Sequence, residues 1–143
     1  MHDPSFNVVV ARWPGERDRV GAIREAVFVR EQGVPLSLEW DGHDDTAVHF
    51  LAVDATGRPV GTARLLPGGQ IGRMAVLPRR RGHGIGKALL AEAIGTARRS
   101  GIGQVFVNAQ TQVEAFYAAF GFCRTGDVFE EAGIAHVRME LDL

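Results

Sequence analysis

The chain has 143 residues and a mass of 15.5 kDa, which at about 150 residues per domain makes residues 1–143 a single domain around one core. Hydrophobic residues at 45% and charged residues at 23% exclude disordered and fibrous classes. Sixteen Lys and Arg against seventeen Asp and Glu remove any bulk electrostatic drive toward nucleic acid or an anionic membrane.

The start, MHDPSFNVVV, has neither the basic opening nor the apolar stretch of a leader, and no run approaches the ~20 apolar residues of a membrane span. The lone Cys123 cannot form an internal disulfide. A cytoplasmic location is expected.

Phe6 to Ala11 is apolar and β-branched and predicts a strand, stopped at Trp13-Pro14-Gly15. A helix follows from Glu16 to Gln32, with Val20, Ile23 and Val27 at i, i+3 and i+7, Gly33 just past its end and Pro35 barring continuation. Ser37 to Thr46 is acidic and turn-rich and reads as an irregular, mostly solvated loop. Ala47 to Asp54, Pro59 to Leu66 and Gln70 to Leu77 are short apolar runs separated by tight turns, the pattern of an antiparallel meander.

From Gly84 to Ser100 the period becomes helical, with Ile85, Leu89, Ala93 and Ala97 on one face and Leu90 and Ile94 beside it. Val105 to Val107 is a buried strand, Gln112 to Phe120 a helix closed by Gly121, and two strands end the chain, Phe122 to Phe129 and Ile134 to Leu141. Helices interleaved with strands of mixed direction give an α/β class: a mixed, mostly antiparallel sheet flanked by helices.

The informative stretch is Met74 to Leu90, MAVLPRRRGHGIGKALL, where a strand feeds a glycine-rich turn into a helix. Glycine lets backbone approach a ligand closely, and a helix N-terminus presents unpaired N–H groups with about half a positive charge, so the expected guest is a phosphate or pyrophosphate. A Walker A loop fails, because counting back from Gly86-Lys87 puts Arg81 at its first position and Ala88 at its last. A dinucleotide fingerprint fails too, its third glycine falling on Lys87 or Leu89.

Arg81-Gly82-His83-Gly84-Ile85-Gly86, with Met-Ala-Val-x-Pro before it, resembles the R-x-x-G-x-G/A signature of the GNAT N-acetyltransferases. Phe116-Tyr117-Ala118-Ala119-Phe120-Gly121-Phe122 resembles the same family's L/F-Y-x-x-x-G-F segment. The segment Val27 to Pro35 is similar to the small bacterial subgroup containing ElaA and YjcF. The resemblance implies the GNAT-like acyl-CoA N-acyltransferase fold in one N-acetyltransferase domain, with acetyl-CoA as co-substrate and an amine acceptor.

It further implies that main-chain N–H groups of Arg81, Gly82, His83, Gly84, Ile85, Gly86 and Lys87 hold the coenzyme A pyrophosphate. The side chains of Arg81 and Lys87 can add charge-assisted contacts. Met74, Ala75 and Val76 would pair with pantetheine through their main chain and polarise the thioester carbonyl, and Tyr117 would hand a proton to the departing thiolate. Two positions depart from the family pattern: Gln70 stands where many members have a glutamate base, and Gln110 stands where many have an asparagine, though it can still reach the pantetheine amide.

The base is therefore open among Glu31, Glu39, Asp41, His43, Asp44, Asp45 and His49, of which Glu31 and Asp41 are the favoured pair. The acidic loop would offer a negative rim to a cationic amine. His43, Asp44, Asp45 and His49 lack the spacing of a metal site, so none is expected. The expected function is acetyl transfer from acetyl-CoA to a primary amine by direct attack in a ternary complex; the alternative is a non-catalytic acyl-CoA-binding or sensor domain. A monomer or homodimer is consistent with the exposed strand at the sheet end.

Overall fold

The computed structural model describes residues 6–143, so part of the segment on which the expectation of no leader rests lies outside the described residues. Four strands, β1 (Phe6–Ala11), β2 (Val48–Asp54), β3 (Pro59–Leu65) and β4 (Ile71–Val76), form an antiparallel sheet in the order β1-β2-β3-β4. A second antiparallel sheet has β8 (Ile134–Asp142) between β5 (Gln104–Gln110) and the short β6 (Cys123–Arg124), with β7 (Phe129–Glu131) also pairing β8. Between β4 and β5 there is one parallel bridge, Gln70 to Phe106, where the Phe106 N–H donates to the Gly69 carbonyl at 3.1 Å. Beyond that bridge the two sheets part.

Helix α3 (Ile85–Arg99) lies across the join, and its apolar stripe is the expected one: Ile85, Leu89, Leu90, Ala93, Ile94 and Ala97 are all buried. They pack with Phe50 and Ala52 of β2, Val105 and Val107 of β5, and Val137 and Met139 of β8. Full burial of each large aliphatic side chain contributes about 1.5–3 kcal/mol, so α3 holds both sheets to one core. On the opposite side of the first sheet lies α1 (Arg17–Arg24), whose Val20 joins Ala11 and Leu51 in a smaller apolar cluster.

Several elements differ from expectation. The first helix is α-helical only to Arg24; Glu25–Glu31 is π-helical, with the Gln32 N–H reaching back to the Val27 carbonyl at 3.0 Å. The helix expected over Gln112 to Phe120 is a 3₁₀ turn, Thr111–Val113, followed by the short α4 (Glu114–Ala118). The expected strand from Phe122 to Phe129 is interrupted, leaving β6 and β7 on either side of a turn. β5 is longer than its apolar centre suggests, because its polar residues Asn108 and Gln110 occupy the alternate face.

The largest correction concerns Ser37 to Thr46. It contains a helical turn, α2 (Leu36–Glu39), and a 3₁₀ turn at Asp44–Thr46; most of it is exposed as expected, but two of its four carboxylates, Glu39 and Asp44, are buried. Glu39 is 1% and Asp44 7% exposed. Arg24, fully buried, donates from Nε to Glu39 Oε1 at 2.7 Å and from Nη1 to Asp44 Oδ1 at 2.7 Å. Arg64 of β3 holds Asp41 with two bonds of 2.8 Å and reaches Asp44 at 3.1 Å, and Arg73 of β4 lies 3.3 Å from Glu39 and 3.1 Å from Asp41. Three guanidiniums thus balance three carboxylates, and the negative rim expected for an amine does not form there.

Breaking a buried pair on one side strands the other charge, at a cost of about 3–5 kcal/mol. Arg24→Met is expected to lose stability of that order in urea unfolding, with Glu39 and Asp44 left unpaired. Acid also weakens the fold. Burial tends to raise the pKa of Asp44, but hydrogen bonds and charge from Arg24 and Arg64 outweigh it and hold the group below 3.8; burial pushes the His49 pKa below 6.5 against a smaller opposing effect of Asp44. In both cases the unfolded chain binds the proton more readily than the folded one, so stability falls with falling pH. Urea midpoints are expected to drop first below pH 6.5 from His49 and again below 3.8 from Asp44.

Candidate active site

The parting of β4 from β5 opens a cleft of about 1160 Å³. One wall is Met74, Ala75 and Val76 of β4; the other is Asn108 and Gln110 of β5 with Phe116 and Tyr117 of α4. Gly82 and Gly84–Lys87 also line it, as do Glu31, Gln32 and Asp41. Of the residues singled out in the sequence, His83, Asp44, Asp45 and His49 are absent from the lining, while Glu39 and His43 belong to it; His83 sits exposed between the two glycines.

β4 carries a bulge. Thr62 pairs with Ala75 and Arg64 with Gly72, so two steps on β3 span three on β4. The bulge puts Arg73 at φ +47°, a left-handed conformation unusual for arginine, and its guanidinium is tied to the Leu38 and Glu39 carbonyls and to the Asp41 carboxylate. Nothing in the residue type signals this, and sequence reasoning missed it. Further along, the Leu77 N–H donates to the Val60 carbonyl at 3.0 Å. Because backbone groups alternate along a strand, those of Val76 turn away from β3 toward the cleft. The Val76 carbonyl accepts from Arg81 Nε at 2.9 Å.

The glycine turn brings two left-handed residues to the start of α3. Gly82 and Gly84 have φ of +82° and +84°, and an ideal Cβ on either would meet nothing within 4 Å, so the backbone conformation and not crowding selects glycine there. Gly84 is the N-cap of α3 and offers no side-chain oxygen to the first turn; the N–H groups of Ile85, Gly86 and Lys87 precede the first intrahelical bond, from Ala88 N–H to the Gly84 carbonyl. Exposed Lys87 adds a cation. The Arg81 guanidinium is otherwise engaged: it clamps Glu31 with bonds of 2.8 and 2.7 Å, tying the turn to the π-helical segment.

Those ion pairs also determine what the two favoured carboxylates can do. The hydrogen bond from Arg81 holds Glu31 below its ordinary pKa of 4.5. Burial raises the pKa of Asp41, but Arg64, the His43 N–H and Arg73 outweigh it and hold the group far below the carboxylate range. Both are weak proton acceptors as they stand. Gln110 donates to Gln32 at 2.9 Å and accepts from Gln112 at 2.8 Å, bridging the cleft to the π-helical segment.

Tyr117 is 8% exposed, packed edge-on against Phe116 and Phe122. Burial pushes its hydroxyl pKa up to about 12, so it stays protonated through neutral pH. His49 is buried under Trp13 and Asp44 and lies outside the lining. His136 of β8, by contrast, does line the cleft, a residue that sequence reasoning did not single out. Among the described residues no cluster has the makings of a metal site, and no helix is long and apolar enough to cross a membrane.

A sheet split beside a glycine-built helix N-terminus, with an open strand edge between, defines the fold of the acyl-CoA N-acyltransferases. Residues 18–143 match the acetyltransferase (GNAT) domain model, and the chain belongs to that family. It is 34% identical over 124 residues to the uncharacterised N-acetyltransferase YjcF of Bacillus subtilis, covering 84% of this chain and 88% of YjcF. To Protein ElaA of Escherichia coli it is 33% identical over 126 residues, covering 82% and 81%. The crystal structure of ElaA superposes with a TM-score of 0.82 over 94% of this chain and 97% of that one, at 28% identity. An acyl-CoA N-acyltransferase from Pseudomonas aeruginosa gives 0.85 over 95% and 99%, at 29% identity.

Two glycines of the loop should respond oppositely to alanine. At Gly84 the left-handed φ costs an L-residue about 1–2 kcal/mol, so Gly84→Ala is expected to lower the melting temperature. At Gly86 a Cβ would meet only the Phe116 ring at 3.6 Å, and removing a helical glycine gains about 0.5–1 kcal/mol, so Gly86→Ala is expected to raise it. Thermal denaturation of both variants checks the pair.

Proposed function

We propose that the protein transfers an acetyl group from acetyl-CoA to a primary amine by direct attack in a ternary complex. The observation that carries this reading is the edge of β4 that no strand covers beyond the Gln70–Phe106 bridge, running into the glycine turn and the α3 N-terminus. A diphosphate fits that end through the N–H groups of the turn and of Ile85, Gly86 and Lys87, with the Lys87 ammonium beside them. A pantetheine arm fits the strand edge, whose Met74–Val76 main chain can pair with it as a further strand would, and the Gln110 amide stands across the cleft.

In the reaction the amine nitrogen forms a bond to the thioester carbonyl carbon, the C–S bond breaks, the amine gives up a proton and the sulfur leaves as thiolate. Negative charge grows on the carbonyl oxygen, and a strand N–H aimed at it, such as that of Val76, contributes about 10²–10³ in rate. Tyr117 donates to the departing sulfur. Its raised pKa keeps it a donor at every physiological pH, and also makes it a hydrogen-bonding stabiliser of the thiolate more than a strong acid, since a thiol has a reference pKa of about 8.5.

Acetyl-CoA is the carrier to test first, and the cytoplasm, where that carrier is made and used, the compartment that fits. The reading is tested by thiol release from acetyl-CoA over an amine panel. Tyr117→Phe is expected to lower kcat about 10²-fold with the carrier still bound; an unchanged kcat would remove Tyr117 from the chemistry. A second reading, a non-catalytic acyl-CoA sensor, is favoured by Gln70, which cannot take a proton, and by the ion pairs of Glu31 and Asp41. It predicts calorimetric binding of acetyl-CoA without turnover of any amine.

A further inference from the structure

We propose that His136 is the base that accepts the proton of the acceptor amine, with Glu131 as its positioning residue; the assignment rests on the transferase reading above. His136 lies on β8 directly opposite Gln110 of β5. Counting from the Gln70–Phe106 bridge, four steps along each parallel strand (70 to 74, 106 to 110) bring Met74 level with Gln110, or Ala75 once the extra residue of the bulge is allowed for. His136 therefore stands across the cleft at the level of the strand segment proposed to polarise the thioester.

Its face is also the right one. Val105, Val107, Ala109, Val137 and Met139 fill the core under α3. The alternate residues, Gln110 and His136 among them, point to the other side, where Gln110 already meets Gln32 of the π-helical segment. His136 is 8% exposed and lines the cleft, as does Glu131.

The protonation state follows from one hydrogen bond. Nδ1 lies 2.7 Å from the Ile134 carbonyl, which can only accept, so Nδ1 carries the hydrogen and Nε2 of the neutral ring carries the lone pair. Nε2 is 3.8 Å from Glu131 Oε2. When the amine proton moves to Nε2, the carboxylate stabilises the imidazolium, while the freed nitrogen lone pair attacks the acyl carbon; the proton later returns to solvent. Phe129 stacks against the ring at 5.9 Å and limits its rotation.

The charged groups around the imidazole are few. β7 contributes Glu131. On β8 itself Arg138 is turned onto the Phe106 ring at 3.8 Å and onto Glu140 at 3.0 Å. β5 presents the neutral Gln110 and Asn108. Other candidates are less suited: Glu31 and Asp41 are bound to arginines, and His49 is outside the cleft.

Two measurements test the assignment on the full chain. Long-range ¹H–¹⁵N NMR should show His136 as the Nδ1–H tautomer when neutral; an Nε2–H tautomer would overturn the proposal without reference to activity. In steady-state kinetics, His136→Gln should lower kcat by about 10²-fold or more while the calorimetric Kd for acetyl-CoA stays within about threefold. The residual rate should climb about tenfold per pH unit as the free amine increases.

Wild-type kcat and pH profile in His136→Gln would overturn the assignment and leave the transferase reading standing, whereas absence of wild-type turnover would overturn both. Should His136→Gln fail to fold, Glu131→Gln, on an exposed carboxylate, should lower kcat while the acetyl-CoA Kd stays unchanged; an unchanged kcat would count against the pair.

Discussion

Everything in this molecule is arranged around a pair of strands that should pair and do not. After one hydrogen bond at Gly69, β4 and β5 diverge, and the outward main-chain groups of β4, Val76 among them, face a cleft in place of a neighbouring strand. Unpaired backbone polar groups away from bulk water are costly, so such an edge selects an occupant that can complete its hydrogen bonding. The strand that borders the gap carries the bulge at Arg73, and α3 buries one apolar stripe in the core shared by both sheets.

The opposite rim of the cleft is held by charge and not by apolar packing. Arg24, Arg64 and Arg73 come from α1, β3 and β4, and Glu39, Asp41 and Asp44 from the single segment that follows the π-helical turn, so the network fastens that segment to three separate elements. A buried ion network adds little net stability relative to an apolar substitute, but it loses much when one partner is removed. Its use here is positional: it keeps Leu38 and Asp41 against the bulge and fixes an arginine in a backbone conformation that arginine seldom adopts.

What the sequence reveals about this fold is what local pattern can carry. The meander of β2 to β4, the apolar stripe of α3 and the glycine turn are each written within a few residues, and all three stand where their periodicity and turn chemistry put them. The burial of Glu39 and Asp44 is not written that way, because Arg24 lies 15 and 20 residues from them, Arg64 lies 20 from Asp44 and Arg73 lies 34 from Glu39. The π-helical turn has no residue signature, and a helix with Val20, Ile23 and Val27 on one face reads the same whichever hydrogen-bond pattern follows. His136 is a lone histidine in a strand; only the β5–β8 register gives it a place beside Gln110.

Gly69 sits at the seam between the two sheets, where the β3–β4 turn meets β5. A Cβ there would come within 2.5 Å of the Gln104 carbonyl, so even one methyl group would wedge the seam apart at its vertex. The contact from which the two sheets diverge therefore depends on a position without a side chain.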